Sequence, residues 1–318
     1  MDNHPLRFAL IGSAGYIAPR HMQAIRDTGH QLVCALDRFD VMGVIDRYFP
    51  EADFFTEPER FDRHLDKLRR QPEKKIDYVS ICSPNYMHDA HIRLALRNGA
   101  HAICEKPLVL NPWNLDALKD IEQENDRRIY SILQVRLHPQ IVALKERIQK
   151  EIAHGKTWDV DLTYITSRGR WYFISWKGNT EKSGGVATNI GIHFFDMLIW
   201  LFGAVKESIV HLNEPSKAAG LLHLQNARVR WFLSLDYNDI PPAMKKLGQR
   251  TYRMITMGND EIEFSDGFTD LHTRSYREII SGGGFGIEES KPAIEIAYQI
   301  RNATTQPLTG EFHPLLIG

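Results

Sequence analysis

Cysteine, net charge and long apolar runs are all scarce in this chain of 318 residues. The three cysteines, Cys34, Cys82 and Cys104, sit inside apolar segments of the first third. They read as small core residues rather than a disulfide framework or a zinc set. Lysine and arginine number 39 against 40 acidic side chains, a formal net charge of -1, which removes the bulk electrostatic case for nucleic acid or a membrane surface. No stretch of eighteen apolar residues and no charged-then-apolar leader is visible, so a soluble, cytoplasmic chain in a reducing setting is expected. Internal repeats and low-complexity segments are missing too, which excludes solenoids and disordered linkers. What remains is 43% hydrophobic content, enough for two domains with sizeable cores.

The first 137 residues alternate strand-like and helix-like patterns. Strands are predicted at Leu6 to Ile11, Gln31 to Leu36, Asp53 to Phe55, Ile76 to Cys82, Ala100 to Cys104 and Ile129 to Val135. Helices are predicted between them: after Ala18, Pro58 to Arg70, Tyr86 to Asn98 and Asn111 to Arg127. Such alternation predicts a doubly wound parallel sheet. After a helix from Ile141 to Ile152 the texture changes to alternating strands at 158–167, Ser208 to Leu212, Ala218 to Leu224, Ala227 to Leu235, Tyr252 to Met257 and Glu261 to Phe264. That is the pattern of an antiparallel sheet. The expected division is a doubly wound α/β domain over 1–137 and an α+β domain with a mostly antiparallel open sheet over 138–318, ending in a helix near Ile287 to Ala303.

Chemistry concentrates where strands end. Gly12-Ser13-Ala14-Gly15-Tyr16-Ile17-Ala18 joins the first strand to the first helix. Glycines there let a backbone approach a pyrophosphate, and the helix amino terminus favours its charge. The spacing G-x-x-G-x-x-A is one residue longer than the usual G-x-G-x-x-A, and a ligand-free tight turn is the alternative. Asp37 ends the second strand, where it can accept ribose hydroxyls and repel a 2′-phosphate, favouring NAD; its neighbour Arg38 could accommodate that phosphate, and helix capping is the plain alternative. Ser83-Pro84-Asn85 makes a turn after the fourth strand, close to where a nicotinamide ribose is expected. His88 and His91 have helical i, i+3 spacing, but no third ligand accompanies them, so no metal is expected. Glu105-Lys106-Pro107 ends the fifth strand, where a lysine can meet cofactor and substrate, although that tripeptide also serves as an ordinary surface turn.

In the second part, Arg168, Arg170, Trp171, Tyr172, Trp176, Lys177 and Lys182 combine cations with aromatics. Such a loop can clamp phosphates and stack on a nucleobase, or form a subunit contact. Gly184-Gly185 precedes a stretch in which, if helical from Thr188, Asn189 and His193 share a face, with Asp196 further along. Histidine is the natural proton acceptor near neutral pH; a satisfied core histidine is the alternative.

Taken together, the glycine turn, Asp37, Ser83-Pro84-Asn85 with His88, Glu105-Lys106-Pro107, and Gly184-Gly185 with Gly191 and His193 resemble the glucose-fructose oxidoreductase and inositol dehydrogenase (Gfo/Idh/MocA) family over nearly the whole chain. The stretches 14–22, 160–169 and 267–273 are similar, within that family, to the bacterial dehydrogenases that oxidise C3 of UDP-N-acetyl-glucosaminuronate (UDP-2-acetamido-2-deoxy-D-glucuronate) for surface polysaccharide, including lipopolysaccharide O-antigen. The resemblance implies that 1–137 is a dinucleotide-binding Rossmann domain and 138–318 a substrate-binding and oligomerisation domain, with NAD contacts from Gly12, Ala14, Gly15, Tyr16, Ile17, Asp37, Arg38, Ser83, Pro84, Asn85, His88, Glu105 and Lys106. It implies substrate contacts from Lys106, Arg168, Tyr172, Trp176, Lys177, Asn189 and His193, with Lys106 and His193 catalytic. Many family members carry aspartate four residues before the histidine; Asn189 stands there, and its amide cannot act as an acid or base, which puts a carboxylate–histidine relay in doubt. The narrower resemblance further implies recycling of NADH by 2-oxoglutarate and a homo-oligomer, a tetramer. Two alternatives stay open: a dehydrogenase of a free sugar or inositol on the same fold, and a non-catalytic NAD-binding sensor.

Overall fold

The computed structural model describes residues 4–40, 42–264, 267 and 269–317. Phe268, in the stretch 267–273 quoted above, lies outside them. The chain forms two compact units, one of residues 1–134 with 269–291, the other of 135–268 with 292–318.

The first unit is built on a parallel sheet of six strands: β1 (Arg7–Ile11), β2 (Gln31–Leu36), β3 (Asp53–Phe55), β4 (Tyr78–Ile81), β5 (His101–Cys104) and β6 (Ile129–Ser131). They are ordered β3-β2-β1-β4-β5-β6. Helices α1 (Ala18–Asp27), α2 (Met42–Asp46), α3 (Pro58–Arg69), α4 (His88–Arg97) and α5 (Asn114–Asn125) connect them. The strands are short and carry continuous apolar runs because parallel strands bury both faces. Phe8, Leu10, Ile103 and Ile132 are buried with Met22 and Ile25 of α1 in one cluster. All three cysteines are free and buried in this unit, as their apolar settings imply. The sixth strand stops at Ser131, short of the predicted Val135, because Ser131 N–H is taken by Phe285 O and Leu133 N–H turns back to Ser131 O.

The second unit opens with α6 (Pro139–Ile152) and β7 (Trp158–Thr166), then α7 (Arg170–Ile174), α8 (Thr180–Ser183) and α9 (Ile192–Phe202). Next come β8 (Val205–Asn213), β9 (Lys217–Leu224), β10 (Ala227–Ser234), α10 (Pro242–Lys246), β11 (Thr251–Met257) and β12 (Asp260–Glu263). Their sheet runs β12-β11-β7-β10-β9-β8 and is mostly antiparallel, but β10 pairs parallel with β7 from Ala227↔Trp158 to Ser234↔Ile165. One cluster packs Leu198 and Phe202 of α9 and Leu144 of α6 on Trp231 and Val229. The stretch Thr180–Phe202 is long and apolar enough by composition to cross a membrane, yet 78% of its most apolar window is buried inside this unit.

Two helices complete the described chain, α11 (Leu271–Ile280) and α12 (Ile287–Asn302). Helix α11 has no counterpart in the sequence reading. Its inner residues Tyr276 and Ile279 join the cluster of the first unit.

Candidate functional site

In the first unit, strand order reverses between β1 and β4, which opens a crevice at the strands' carboxyl ends. The turn after β1 lies there. Gly12 has φ +90°, and a Cβ on it would come within 2.6 Å of Ser83 N and 2.7 Å of Cys82 C. Only glycine lets the β1 turn lie against the end of β4. Gly15 N–H closes the turn on Gly12 O at 3.0 Å, and α1 starts directly behind it at Ala18. Ala14 N–H donates to Asp37 Oδ2 at 2.8 Å, while Asp37 Oδ1 takes the Phe39 N–H at 3.0 Å. The carboxylate's further lone pairs suit ribose hydroxyls. Arg38 lies over the Phe39 ring, 4.7 Å from its centroid, and Tyr16 is 84% exposed at the tip of the turn. A glycine turn, a helix amino terminus and an acid at the end of β2 are what a dinucleotide needs, so these residues fit NAD.

Ser83-Pro84-Asn85 follows β4, with Ser83 and Asn85 buried. His88, wholly buried, sets Nε2 2.8 Å from Ser83 O and Nδ1 2.6 Å from Pro107 O, tying the turn after β4 to the loop after β5. Burial pushes His88 down, opposed by both carbonyls and by Glu105. His91 meets Ser83 Oγ at 2.8 Å. These contacts account for the i, i+3 pair without a metal. Glu105 and Lys106 emerge from β5, and the Lys106–Pro107 peptide is cis.

Sequence reasoning missed what surrounds Glu105. His21 Nε2 and His272 Nε2 each lie 3.0 Å from Glu105 Oε1. Beyond His21 stand the Tyr276 hydroxyl, 2.8 Å from Nδ1, and Ser80 Oγ, 2.6 Å from that hydroxyl. Burial works to raise the Glu105 carboxyl, but the hydrogen bonds from the two histidines hold it well below the usual carboxylate range. No spacing signal exists for this group, because His21 and His272 lie 84 and 167 residues from Glu105.

In the second unit, the predicted residues gather at the end of β7. Arg168 N–H bonds Leu235 O, which sets Arg168 beside the end of β10. Tyr172 is buried, and its hydroxyl accepts a hydrogen bond from Asn189 Nδ2 at 2.6 Å. Burial raises the Tyr172 phenol. Trp176 and Lys177 form a short 3-10 turn, with the Lys177 ammonium 5.7 Å from the Trp176 ring centre. Burial, with Arg168 nearby, lowers the Lys177 ammonium. Trp171, by contrast, is 79% exposed.

Asn189 and His193 do lie on helical backbone, but residues Ala187–Gly191 form a π-helix before α9 begins. Gly191 sits within it, and a Cβ there would meet Leu233 Cδ1 at 2.6 Å and Phe195 Cε2 at 2.8 Å. Asn189 is buried and His193 half-buried. Asp196, further along, makes a two-point ion pair with Arg136, at 2.9 and 2.6 Å. That pair, also unseen in the sequence, ties α9 to the turn before α6.

A reversed-order parallel sheet with this turn and acid, followed by a mostly antiparallel second sheet, is the architecture of an NAD-dependent oxidoreductase. Family models agree: that of the oxidoreductase family with NAD-binding Rossmann fold matches residues 6–133, and that of the same family's C-terminal alpha/beta domain matches 145–240. The chain belongs to the Gfo/Idh/MocA oxidoreductase family and binds NAD.

Among solved structures, it is 50% identical to the WlbA (WbpB) dehydrogenase of Thermus thermophilus in complex with NAD and alpha-ketoglutarate, with a TM-score of 0.94, covering 98% of this chain and 99% of that one. The structure of the same protein with NAD and UDP-GlcNAcA gives 49% identity and a TM-score of 0.93, with coverage of 98% and 99%. A curated relative, the D-glucoside 3-dehydrogenase of Escherichia coli (strain K12), is 27% identical over 66% of this chain and 58% of its own length. The chain thus aligns with under two thirds of that relative.

Proposed function

We propose that the protein oxidises the C3 hydroxyl of UDP-2-acetamido-2-deoxy-D-glucuronate to the 3-keto sugar, in bacterial surface-polysaccharide synthesis. The observation carrying this reading is the near-full-length likeness, at half of all positions, to a dehydrogenase crystallised with NAD and UDP-GlcNAcA. Bound NAD supplies the hydride acceptor. His193 is the base that takes the C3 hydroxyl proton, and the Lys106 amine holds the same oxygen by a hydrogen bond. Asn189 is an amide that does not titrate near neutral pH, so position 189 supplies no carboxylate relay to His193. Arg168 and Lys177 meet the diphosphate or the uronate carboxylate, as cations in a partly buried loop can. Tyr172 and Trp176 frame the sugar nucleotide, while the exposed Trp171 ring offers a face to the uracil.

The complex of the similar dehydrogenase with alpha-ketoglutarate supports a second half-reaction, in which 2-oxoglutarate is reduced to 2-hydroxyglutarate and NAD is regenerated in place. The working species on this reading is a cytoplasmic homotetramer, which sedimentation would test. The match to a D-glucoside 3-dehydrogenase favours a second reading, C3 oxidation of a sugar without a nucleotide.

One spectroscopic experiment separates them. Purified protein is mixed with the UDP-sugar, and with an alkyl glucoside in a parallel sample. Reduced-nicotinamide absorbance that rises with the UDP-sugar and vanishes on adding 2-oxoglutarate is the expected result. A rise with the glucoside alone would overturn the nucleotide-sugar assignment.

A further inference from the structure

Glu105 stands next to Lys106, yet the chemistry above gives its carboxylate no task. It is 7% exposed and receives three hydrogen bonds: from His21 and His272 on Oε1, and from Lys106 N–H on Oε2 at 3.3 Å. An ionised carboxylate only accepts, so both imidazoles carry their proton on Nε2. His21 Nδ1 then accepts from the Tyr276 hydroxyl, and Tyr276 in turn accepts from Ser80. Every donor from Ser80 onward points toward Glu105. His272 closes the other branch. Among the described residues its buried Nδ1 meets no hydrogen-bond partner, and a proton there would leave a buried donor unmet, so the arrangement calls for a ring protonated on Nε2 alone.

The geometry points to a positioning device: His21, His272 and Tyr276 hold Glu105 as a fixed buried anion, and its Oε2 fixes the backbone from which the Lys106 amine is presented. Helix α11 contributes two of the four residues, with His272 and Tyr276 four apart on one face. Glu105 moves no proton itself, since both of its oxygens are held by donors in a dry site. His21 and His272 stack edge to face, ring centres 5.0 Å apart, which keeps both Nε2 atoms converging.

The same ligating atoms lie within 4.8 Å of one another, a set of two histidines and one carboxylate. A metal-bound histidine almost always donates its other N–H to a partner, and among the described residues His272 Nδ1 has none. Separations of 3.0 Å are also those of direct N–H···O bonds. Hydrogen bonding, not metal, therefore accounts for the cluster.

This inference rests on the reading that Lys106 acts on the substrate hydroxyl, and its test keeps the two separable. Nitrogen-15 spectra of histidine-labelled full-length protein should show His272 neutral with its proton on Nε2. With NAD and the UDP-sugar, His272→Phe should lower kcat about a hundredfold while the Kd for NADH stays within about twofold. His272→Gln, which returns an N–H donor, should recover most of that loss. Should the phenylalanine variant fail to fold, Tyr276→Phe removes only a hydroxyl and should lower kcat with NADH affinity kept. Unchanged kcat in the folded variants, equal loss in the glutamine and phenylalanine variants, or stoichiometric zinc or iron in the purified protein would each overturn the proposal. If the wild-type protein leaves the UDP-sugar untouched, the substrate reading fails, and the His272 tautomer and the metal content still decide whether the network exists.

Discussion

Ala14 and Asp37 are 23 residues apart and joined by one hydrogen bond, the Ala14 amide donating to the Asp37 carboxylate at 2.8 Å. The acid at the end of β2 thus shapes the β1 turn, beside the contact with the ribose proposed for it. Asp37→Ala removes both tasks. A hydrogen bond to a charged group is worth about 1.5–3 kcal/mol, so NAD affinity should fall by about tenfold or more. Calorimetric titration with NAD and NADP checks this, and an unaltered Kd for NAD would take Asp37 out of the cofactor site.

Lys106 and His193 carry the proposed proton chemistry. Lys106→Ala and His193→Asn should each lower kcat by about 10²–10⁴-fold while NADH binding persists. Turnover near the wild-type rate in both variants, with NAD bound, would mean that other groups do the chemistry.

Neutralising Arg168 by Arg168→Gln should raise the Kd for the UDP-sugar, since one charge-assisted contact is lost. A matched titration with UDP alone tells the diphosphate from the uronate carboxylate as its target. Affinity unchanged for both ligands would return the loop 168–182 to the subunit-contact reading.

The buried pair of Arg136 and Asp196 ties α9 in place, with side chains 8% and 2% exposed. Removing one partner strands the other charge in a dry site, at about 3–5 kcal/mol. Asp196→Leu should therefore unfold at markedly lower urea, whereas the double replacement Arg136→Met with Asp196→Leu should recover most of the loss. A double variant as unstable as the single would show that the pair is not the reason.

Acid should weaken the fold below neutrality. Burial pushes His91 and His313 down to about 4 from an ordinary 6.5. His313 accepts the Leu315 N–H on Nδ1 and so donates from Nε2 to Thr163 Oγ1, a neutral ring in the folded state. A depressed folded pKa means the unfolded chain binds the extra proton. The stability these groups contribute is thus whole above pH 6.5 and lost as pH falls toward 4. Glu105 adds a loss of the same sign at lower pH, below its ordinary 4.5. Urea melts at about pH 7 and about pH 5 should show the drop; a flat profile would place both histidines in contact with water.

Much of this was legible in local pattern. Strands β2 and β3 fall on the predicted residues because a parallel strand is a continuous apolar run with polar breaks. The turn Gly12–Ile17, Asp37 and Ser83-Pro84-Asn85 were legible because each sits where a strand ends. Helix α11 was not. Its stretch mixes His272, Thr273, Ser275 and Tyr276 among its buried residues, polar types that count as inside only once their partners are known. The π-turn at Ala187–Gly191 was equally hidden, since periodicity does not distinguish it from α-helix over five residues.

By itself the sequence determined the succession of strands in the two sheets, the strand ends that carry Gly12, Asp37 and Lys106, and the family, because those are written in local pattern and motif. Only the tertiary structure decided that residues 269–291 return to the first unit, and that β10 runs parallel to β7. It alone brought two distant histidines onto Glu105 and set Arg136 against Asp196. A buried charge must find its donors wherever folding places them, and separation along the chain leaves no trace of that choice.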